Sequence, residues 1–345
     1  MAASRSVPIR ALATFTLLAA AFAGGPSAGV AATSPVVAAA ARTEGTVVWY
    51  SALEAPSLNM MVQKFNASHP GIVVQGLQIA STRIPARVMT EQSAGKVQAD
   101  VVSGDQFSVS QLAEIGALQP FAVSDPEKFV KGSIDPKGLW AALFSETTVI
   151  AWNPQKLRAD GLRPPGSLAD LAKPEWKGKL GVDGQAFNWY QAVLLTQKNA
   201  SETLKRIADN HPLITTGHTV TVTQLANGEF DATPTAYGYM VEERRLAGQP
   251  VDFVNLVPNL VNLEPIAIVK DAPHPNAARV LIDWLLSPEG QLLIAGTGHT
   301  SRRIDVAGNP RIFNPKEPAF VMPAPDRNAY NAMVNGYKAL LGVGN

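Results

Sequence analysis

Apolar runs and helical spacings alternate along the chain from residue 45 onward. Residues 45–51 (GTVVWYS) predict a strand with an almost continuous apolar face, as in a parallel sheet that is covered on both sides. Leu58, Met61 and Phe65 then recur at helical spacing, and residues 72–74 (IVV) predict the next strand. This strand–helix–strand order predicts a βαβ unit.

The same alternation continues through the middle of the chain. Residues 84–92 predict a helix, and residues 99–105 (ADVVSGD) predict a third short strand that ends in a glycine turn. Residues 148–152 (TVIAW) predict a buried strand, which Asn153 and Pro154 end. The chain is therefore predicted to have an α/β fold.

Helix-capping signals recur in the second half of the chain. Ser167 is a predicted N-cap, with Asp170 at the third helical position, and Ser287 precedes a proline at the first position of another helix. Residues 264–270 predict a strand that returns to the first part of the sheet. Near the end of the chain, aromatic and apolar residues at helical spacing predict a closing helix that packs on the first half of the protein.

Composition narrows the class of protein. A chain of 345 residues accommodates two domains, and a composition that is 46% hydrophobic and 17% charged is that of a folded protein. Lys and Arg total 29 and Asp and Glu total 28, so the charge balance gives no indication of nucleic-acid binding. Because the sequence has no cysteine, disulfides and thiol catalysis are excluded.

The N-terminus has the pattern of a secretory signal. Arg5 and Arg10 form a basic start, residues 11–24 are apolar, and small residues precede a predicted cleavage site after Ala32. We therefore expect a signal peptide over residues 1–32 and a loose leader over residues 33–44. The alternative is an uncleaved membrane anchor.

Several stretches carry a family resemblance: VIAWN at 149–153, GSLADLAKPEWKGKL at 166–180, LANGEFD at 225–231 and IAIVKDAPHPNAARVLIDWLLSPEGQ at 266–291. These sequence motifs resemble those of the extracellular solute-binding proteins of bacterial ABC importers. The resemblance is closest to the group that includes the periplasmic ferric-binding proteins. It extends over most of the chain, from about residue 45 to residue 306.

The resemblance implies a two-lobed periplasmic-binding-protein fold of type II. Each lobe would contain a mixed, mainly parallel sheet flanked by helices, and two crossing strands would join the lobes. Lobe 1 is expected to comprise residues 45–146 and 266–345, and lobe 2 residues 147–265.

The function that the resemblance implies is that of the periplasmic substrate-binding component of an ABC transporter. Such a protein captures a small solute in the cleft between its lobes and delivers it to a permease in the inner membrane. We expect a monomer that binds no nucleic acid, catalyses no reaction and requires no cofactor, with Fe(III) as one candidate for the transported ligand.

Candidate ligand-binding residues lie where strands end and helices begin, since open α/β sheets bind their ligands there. They come from both expected lobes, as a hinged clamp requires. The predicted set is Glu54, Ser81, Thr82, Arg83, Asp105, Trp189, Tyr190, Thr235, Tyr237 and Tyr239.

For ferric iron, the resemblance implies Asp105, Tyr237 and Tyr239 as metal ligands, and hard cations prefer such oxygen donors. The family has two adjacent tyrosines, whereas this sequence has Tyr237-Gly238-Tyr239, and Glu54 stands close to where some members have a histidine. Two tyrosines spaced two apart on a helix diverge, so they converge only at a strand-to-helix turn.

Two other ligand classes remain open. A small phosphorylated or carboxylated anion would be bound by Arg83 with the hydroxyl and backbone N–H groups of Ser81 and Thr82. An amine or polyamine would be bound by Glu54 and Asp105 through charge, and by Trp189 through a cation–π contact.

Each of these residues also has a purely structural interpretation. Arg83 is then a solvated helix residue, Trp189 and Tyr190 pack in the core, and Asp105 caps the helix that follows it.

An enzyme on the same scaffold is the other class of hypothesis. The sequence has five histidines, and none of them is paired at the H-x-x-x-H spacing of a zinc protease. It also has no G-x-S-x-G elbow and no P-loop. The sequence therefore favours a binding protein over an enzyme.

Overall fold

The computed structural model describes Met1, residues 33–313 and residues 316–343. The predicted signal peptide, apart from Met1, lies outside the described residues. Among the residues described, no helix has both the length and the apolar character needed to cross a bilayer.

Helices and strands alternate along most of the described chain. The helices are α1 Pro35–Glu44, α2 Ala55–Ser68, α3 Ile84–Ser93, α4 Gln106–Glu114, α5 Pro154–Ala159, α6 Leu168–Leu171, α7 Phe187–Thr196, α8 Ala200–Asp209, α9 His218–Asn227, α10 Gly238–Leu246, α11 Pro275–Leu285, α12 Pro288–Gly296 and α13 Arg327–Leu341. Short 3₁₀ turns form at Ser81–Arg83, Pro126–Lys128 and Pro174–Trp176. The strands are β1 Thr46–Ser51, β2 Val73–Gln78, β3 Val101–Ser103, β4 Leu118–Gln119, β5 Ala141–Trp152, β6 Gly181–Asp183, β7 Leu213–Thr215, β8 Ala232–Tyr237, β9 Asp252–Val269 and β10 Ala319–Val321.

Most of the described strands form one mixed sheet. Its order is β2-β1-β3-β9-β5-β8, with β4 and β10 also paired to β9, and β6 and β7 form a separate parallel pair. β1 runs parallel to β2 and β3, whereas β9 is antiparallel to β3 and β5. The predicted α/β architecture is confirmed.

Two long strands, β5 and β9, run side by side through the middle of the sheet. Their antiparallel pairing extends from Ala141 opposite Ile266 to Trp152 opposite Asp252, with irregularities near residues 142–144 and 148–149. The return strand predicted at 264–270 is only the last part of β9, which has 18 residues. Its first part contains polar residues and Pro258, so the sequence does not show a strand pattern there.

The buried apolar side chains fall into several clusters, and the two largest lie towards opposite ends of this strand pair. The largest cluster draws on residues 41–144 and 266–294. A second draws on residues 150–260 together with Met322, Met333 and Tyr337. The lobe boundaries drawn from the sequence stay a prediction.

The last helix, α13, occupies a different place from the one expected. It packs against α7 and α8, and Tyr337 donates a hydrogen bond to the backbone oxygen of Asp183 at 2.8 Å. The prediction that it packs on the first lobe is therefore wrong. The helical spacing identified its apolar face correctly, but spacing within a helix does not encode which neighbour that face meets.

The segment expected to be a loose leader forms α1. Ser34 caps this helix, a proline occupies its first position, and its alanines favour the helical state. Glu44 accepts hydrogen bonds from the backbone N–H groups of Asn276 and Ala277 at the start of α11, and Ala41 is fully buried. The expectation of a loose segment over residues 33–44 is therefore wrong.

The predicted caps are confirmed. Ser167 Oγ accepts a hydrogen bond from the backbone N–H of Asp170 at 3.2 Å, and Ser287 Oγ accepts one from Gly290 at 3.2 Å. Such caps satisfy backbone donors that the first helical turn leaves unpaired.

Substitution of Gly181 tests the packing of β6 against the ring of Phe230. A Cβ atom at Gly181 would lie 2.3 Å from carbons of the Phe230 ring, which is itself buried. We expect Gly181→Ala to lower the free energy of unfolding by about 1–3 kcal/mol, measured by chemical denaturation.

Gly296→Ala is the matched control, because a Cβ atom there meets no atom within 4 Å. Equal stabilities of the two variants would contradict the packing described for Gly181.

Candidate functional site

A cleft of about 430 Å³ opens on one face of the central strand pair. Its volume lies within the range of pockets that bind small organic molecules. Its walls are formed by side chains of β5 and β9 and by the first residues of several helices.

The register of the sheet places one group of cleft residues together. Because side chains alternate between the two faces of a strand, residues paired across two strands share a face. Phe144 is opposite Glu264, Glu146 is opposite Asn262, and Thr148 is opposite Tyr237. All six of these residues line the cleft.

Helix N-termini supply a second group. Glu54, Asp105 and Tyr237 are the N-cap residues of α2, α4 and α10, and His218 is the first residue of α9. Asp105 accepts a hydrogen bond from the backbone N–H of Ser108 at 2.8 Å, so it does cap its helix. These positions bring side chains from distant parts of the chain to one cavity.

The cleft lining is acidic. Five carboxylates line it, and we call them the carboxylate set: Glu54, Asp105, Glu146, Asp183 and Glu264. No lysine or arginine is among the described residues that line the cleft. Where these carboxylates are ionised, they make the potential in the cleft negative.

Burial and crowding raise the pKa of three members of this set, Glu146, Glu264 and Asp105. Burial, together with the charges of Glu54 and Asp105, raises the pKa of Glu146 to about 8, against a hydrogen bond from Tyr237 that acts in the opposite direction. Burial and the charge of Glu146 raise the pKa of Glu264 well above its usual value. Burial also raises the pKa of Asp105.

Two histidines contribute to the cleft. The Nδ1 atom of His218 lies 3.2 Å from Asp183 Oδ2 and 2.8 Å from the backbone oxygen of Thr235. His299 Nε2 lies 3.9 Å from both Glu54 and Glu146, yet burial lowers the pKa of His299 to about 4. His299 is therefore uncharged at neutral pH and does not compensate the two glutamates.

Aromatic rings run in a row along the cleft: His218, Tyr237, Tyr239 and His299. The centroid distances are 4.0, 6.2 and 4.2 Å in that order. Tyr239 also donates a hydrogen bond to Glu54 at 2.5 Å.

A strand-to-helix turn brings the two tyrosines together. Tyr237 ends β8, and Tyr239 lies in the first turn of α10. Both side chains therefore line the cleft although the two residues are spaced two apart. This is the strand-to-helix turn that a shared site of these two tyrosines requires.

At the mouth of the cleft, Phe107 of α4 stacks on Tyr330 of α13 with the ring centroids 3.7 Å apart. This contact joins α4, which follows Asp105 and forms part of the cleft wall, to α13.

The structure brings most of the predicted ligand-binding residues to this cleft. Those that line it are Glu54, Ser81, Thr82, Asp105, Trp189, Tyr237 and Tyr239. Their roles as ligands stay predictions. Trp189 is buried and packs against Tyr337, so it has the core-packing role that its structural interpretation gives it. It also lines the cleft, so a role in ligand binding stays open as well.

Three of the predicted residues do not line the cleft. Arg83 is exposed to solvent, as its structural interpretation has it. Tyr190 packs against Tyr337, with the ring centroids 5.2 Å apart. Thr235 is fully buried, and its hydroxyl accepts a hydrogen bond from the backbone N–H of Asp183. These three therefore lie outside the cleft lining, and their roles as ligands stay predictions.

Sequence reasoning missed several cleft residues: Glu146, Asp183, His218, Asn262, Glu264 and His299. A signal was present for both glutamates: Glu146 is the single charged residue of β5, and Glu264 is the single charged residue between 253 and 269. A charge at a core position of a strand requires a partner or a function. The histidines carried no such signal.

The described residues contain no group of three or more His, Cys, Asp or Glu side chains arranged to hold a metal ion. A metal in this cleft would therefore need the phenolic oxygens of Tyr237 and Tyr239 or a co-bound chelator.

Comparisons with known proteins agree with this architecture. The family described as bacterial extracellular solute-binding protein matches residues 60–307. The Fe(3+)-binding periplasmic protein of Serratia marcescens is 25% identical over 193 residues, which are 52% of this chain and 56% of that protein. Iron uptake protein A1 of Synechocystis sp. is 25% identical over 266 residues, which are 71% of this chain and 72% of that protein. The first of these alignments thus spans little more than half of the relative.

Solved structures share the fold over most of their length. The substrate binding protein of an ABC transporter from Agrobacterium tumefaciens has a TM-score of 0.76 at 17% identity, covering 87% of this chain and 96% of its own. Iron-bound HitA from Pseudomonas aeruginosa has a TM-score of 0.71 at 21% identity, covering 85% and 99%. AfuA from Actinobacillus pleuropneumoniae, with fructose-6-phosphate bound, has a TM-score of 0.70 at 19% identity, covering 87% and 99%.

The predicted two-lobed periplasmic-binding-protein fold is confirmed by these similarities. Since the fold accepts both iron and a sugar phosphate, the ligand of this chain has to be argued from its own cleft.

Replacing Glu146 should stabilise the empty protein in alkaline solution. A carboxyl group whose pKa is raised from 4.5 to about 8 on folding lowers stability progressively as the pH rises between these two values. We expect Glu146→Gln to raise the melting temperature at pH 8.5 by several degrees, and the difference to vanish towards pH 4.5. Differential scanning fluorimetry across pH measures this.

Glu229→Gln serves as the control, because Glu229 is an exposed glutamate outside the cleft. A gain in stability that is the same at all pH values would contradict the burial of an uncompensated charge at Glu146.

Proposed function

Since this chain belongs to the family of bacterial extracellular solute-binding proteins, we propose that it is the substrate-binding component of an ABC importer. It captures a small solute in the cleft, closes around it and presents it unchanged to a permease in the inner membrane. We propose that it acts as a monomer in the periplasm, after export directed by residues 1–32.

The solute is a cation, and the acidic lining of the cleft is the observation that supports this proposal. The carboxylate set faces the cavity without a lysine or arginine among the described lining residues. An anion bound there would be repelled by these carboxylates unless they all stayed protonated. Arg83, which the anion hypothesis required, is exposed and outside the lining.

Ferric iron is one candidate for this cation. Tyr237 and Tyr239 place two phenolic oxygens in the cleft beside carboxylates, and these are donors that a hard cation prefers. The relatives named as Fe(3+)-binding and iron uptake proteins support the same candidate. Burial raises the pKa of both tyrosines well above the usual value, so iron would have to displace their protons on binding.

We propose binding without turnover as the mode of action. The family and its structural relatives are transport proteins. Within the described cleft lining, the hydroxyls belong to Ser81, Thr82, Thr148 and the tyrosines. The Nδ1 atoms of the two cleft histidines instead contact the backbone oxygen of Thr235 and the hydroxyl of Thr297, so they activate none of these hydroxyls as a nucleophile.

A thermal-shift screen tests the charge of the solute. A bound solute at 100 times its Kd stabilises the folded protein by about 2.7 kcal/mol. We expect polyamines, and ferric ion delivered from its nitrilotriacetate chelate, to raise the melting temperature. Hexose phosphates, phosphonates and dicarboxylates should leave it unchanged.

Stabilisation by the anionic probes alone would contradict the proposal of a cationic solute. Mass spectrometry of the recovered probe checks the mode of action, and a chemically converted probe would contradict binding without turnover.

Colour tests the iron candidate. Tyrosinate bound to Fe(III) gives a visible charge-transfer band, so protein loaded with ferric citrate should be coloured and Tyr237→Phe should lose that band. Tyr190→Phe is the matched control, since Tyr190 lies outside the cleft lining, and it should keep the colour.

A loaded protein without any visible band would rule out tyrosinate-bound iron.

A further inference from the structure

The helix α1 is held on α11 at both of its ends. Glu44, the last residue of α1, accepts hydrogen bonds from the backbone N–H groups of Asn276 and Ala277 at the start of α11. At the opposite end, Asp283 in the last turn of α11 accepts hydrogen bonds from the backbone N–H of Thr33, at 3.0 Å, and from the Thr33 hydroxyl. The two helices therefore run antiparallel, and Thr33 anchors the N-terminal end of α1.

Asp283 occupies a position that α11 itself does not favour. A carboxylate near the C-terminus of a helix is disfavoured by the helix dipole. Its partner within α11 is Arg279, four residues earlier, with Nε 3.0 Å from Asp283 Oδ2. This order, with the base first, is the less favourable orientation of an i,i+4 pair. The helix thus gives no reason of its own for a carboxylate that is only 11% exposed, and the contact with Thr33 supplies one.

The predicted processing site lies directly before this contact. The sequence pattern places cleavage after Ala32, so the nitrogen of Thr33 would become the α-amino group of the mature chain. A free α-amino group has a pKa of about 7.7–8.0, so it is mostly protonated at neutral pH. Cleavage would then replace a neutral N–H donor with an ammonium group 3.0 Å from the Asp283 carboxylate.

An ammonium group at this place requires a counter-charge. It precedes the first turn of α1, where the positive end of the helix dipole disfavours a further positive charge. Asp283 provides the negative charge that offsets this effect, and Arg279 contacts the same carboxylate oxygen and holds it in position. Charge-assisted hydrogen bonds are about twice as strong as neutral ones. Removal of the preceding segment therefore strengthens the contact that docks α1.

We propose that the chain is cleaved between Ala32 and Thr33 and that the new α-ammonium group forms an ion pair with Asp283, which fixes α1 on α11. The bond that breaks is the peptide bond between the first two of these residues. Water adds its oxygen to the Ala32 carbonyl carbon, which leaves as a carboxylate, and the two protons of the water go to the nitrogen of Thr33. This inference rests on the export that we propose for residues 1–32 and goes beyond solute capture.

The N-terminus of the exported protein tests the cleavage. We express the full chain in a bacterial host, recover it from the periplasm and determine its first residue by N-terminal sequencing and intact mass. We expect Thr33, followed by Ser34 and Pro35. Any other first residue, including Met1 of an uncleaved chain, would overturn the inference.

A double-mutant cycle tests the ion pair. One chain starts at Thr33, and a second starts at Ala31, so that the Thr33 nitrogen is again an amide. Both are released from a fusion by a protease that leaves no residue of its own, and both are made with and without Asp283→Asn. At pH 7 we expect the Thr33 start to melt about 2 °C higher than the Ala31 start. This difference should disappear in Asp283→Asn, as measured by differential scanning fluorimetry.

Asp209→Asn is the matched control. Asp209 also ends a helix and also follows a base, Lys205, by four residues, but it lies on α8 and is exposed. This variant should keep the difference between the two starts. Equal melting temperatures of the two starts at pH 7, or a difference that persists in Asp283→Asn, would overturn the ion pair.

A second measurement needs no substitution. The charged side chains at the Thr33 contact are Asp283 and Arg279 of α11. At a pH of about 10 a free α-amine is uncharged, so the two starts of the parent chain should melt at the same temperature. A difference that is the same at both pH values would contradict the proposal. The described cleft lining begins at Ala52, so failure of this inference is distinguishable from failure of solute capture, which the thermal-shift screen tests.

Discussion

The antiparallel pairing of β5 with β9 is the constraint on which the rest of the structure depends. It runs the whole length of β5, and the two largest clusters of buried side chains lie towards its opposite ends. Its register also decides which side chains face the cleft. A slip of one residue in either strand would turn its glutamate to the other face of the sheet and bring the chain neighbours of that glutamate into the cavity. Architecture and chemistry are therefore fixed by the same set of backbone hydrogen bonds.

This arrangement keeps acidic groups where folding alone would not favour them. The carboxylate set is crowded and partly buried, which raises the pKa values of Glu146, Glu264 and Asp105. Helix N-termini moderate the repulsion, because α2 and α4 begin at Glu54 and Asp105 and direct the positive ends of their dipoles towards these side chains. Ionised carboxylates that are buried close together lower the stability of the empty protein, and a bound cation would compensate their charge. The side chains that would favour cation binding are therefore the same ones that lower stability.

The sequence predicted the local elements well. Strand and helix patterns, the caps at Ser167 and Ser287 and the α/β class all depend on near neighbours in the chain, and the structure bears them out. The first half of β9 and the packing of α13 were not predictable in the same way, since both depend on partners far along the chain.

The candidate site shows the same difference between features that depend on near neighbours in the chain and features that depend on distant ones. Positions at strand ends and helix starts were found, because the fold class places ligands there, and Asp105 and Tyr237 are examples. Arg83 follows the same positional rule but faces solvent, because a rule about position does not give the direction of a side chain. His299 reaches the cleft from a turn after α12, and no local pattern marks it.

The stacking of Phe107 on Tyr330 ties one wall of the cleft to α13. This helix packs on α7 and α8, and the Tyr330 ring completes the wall beside α4. The wall is thus built from residues far apart in the sequence, so it forms only when α13 has docked. Undocking of α13 would open the cavity beside α4 even if the central sheet stayed intact.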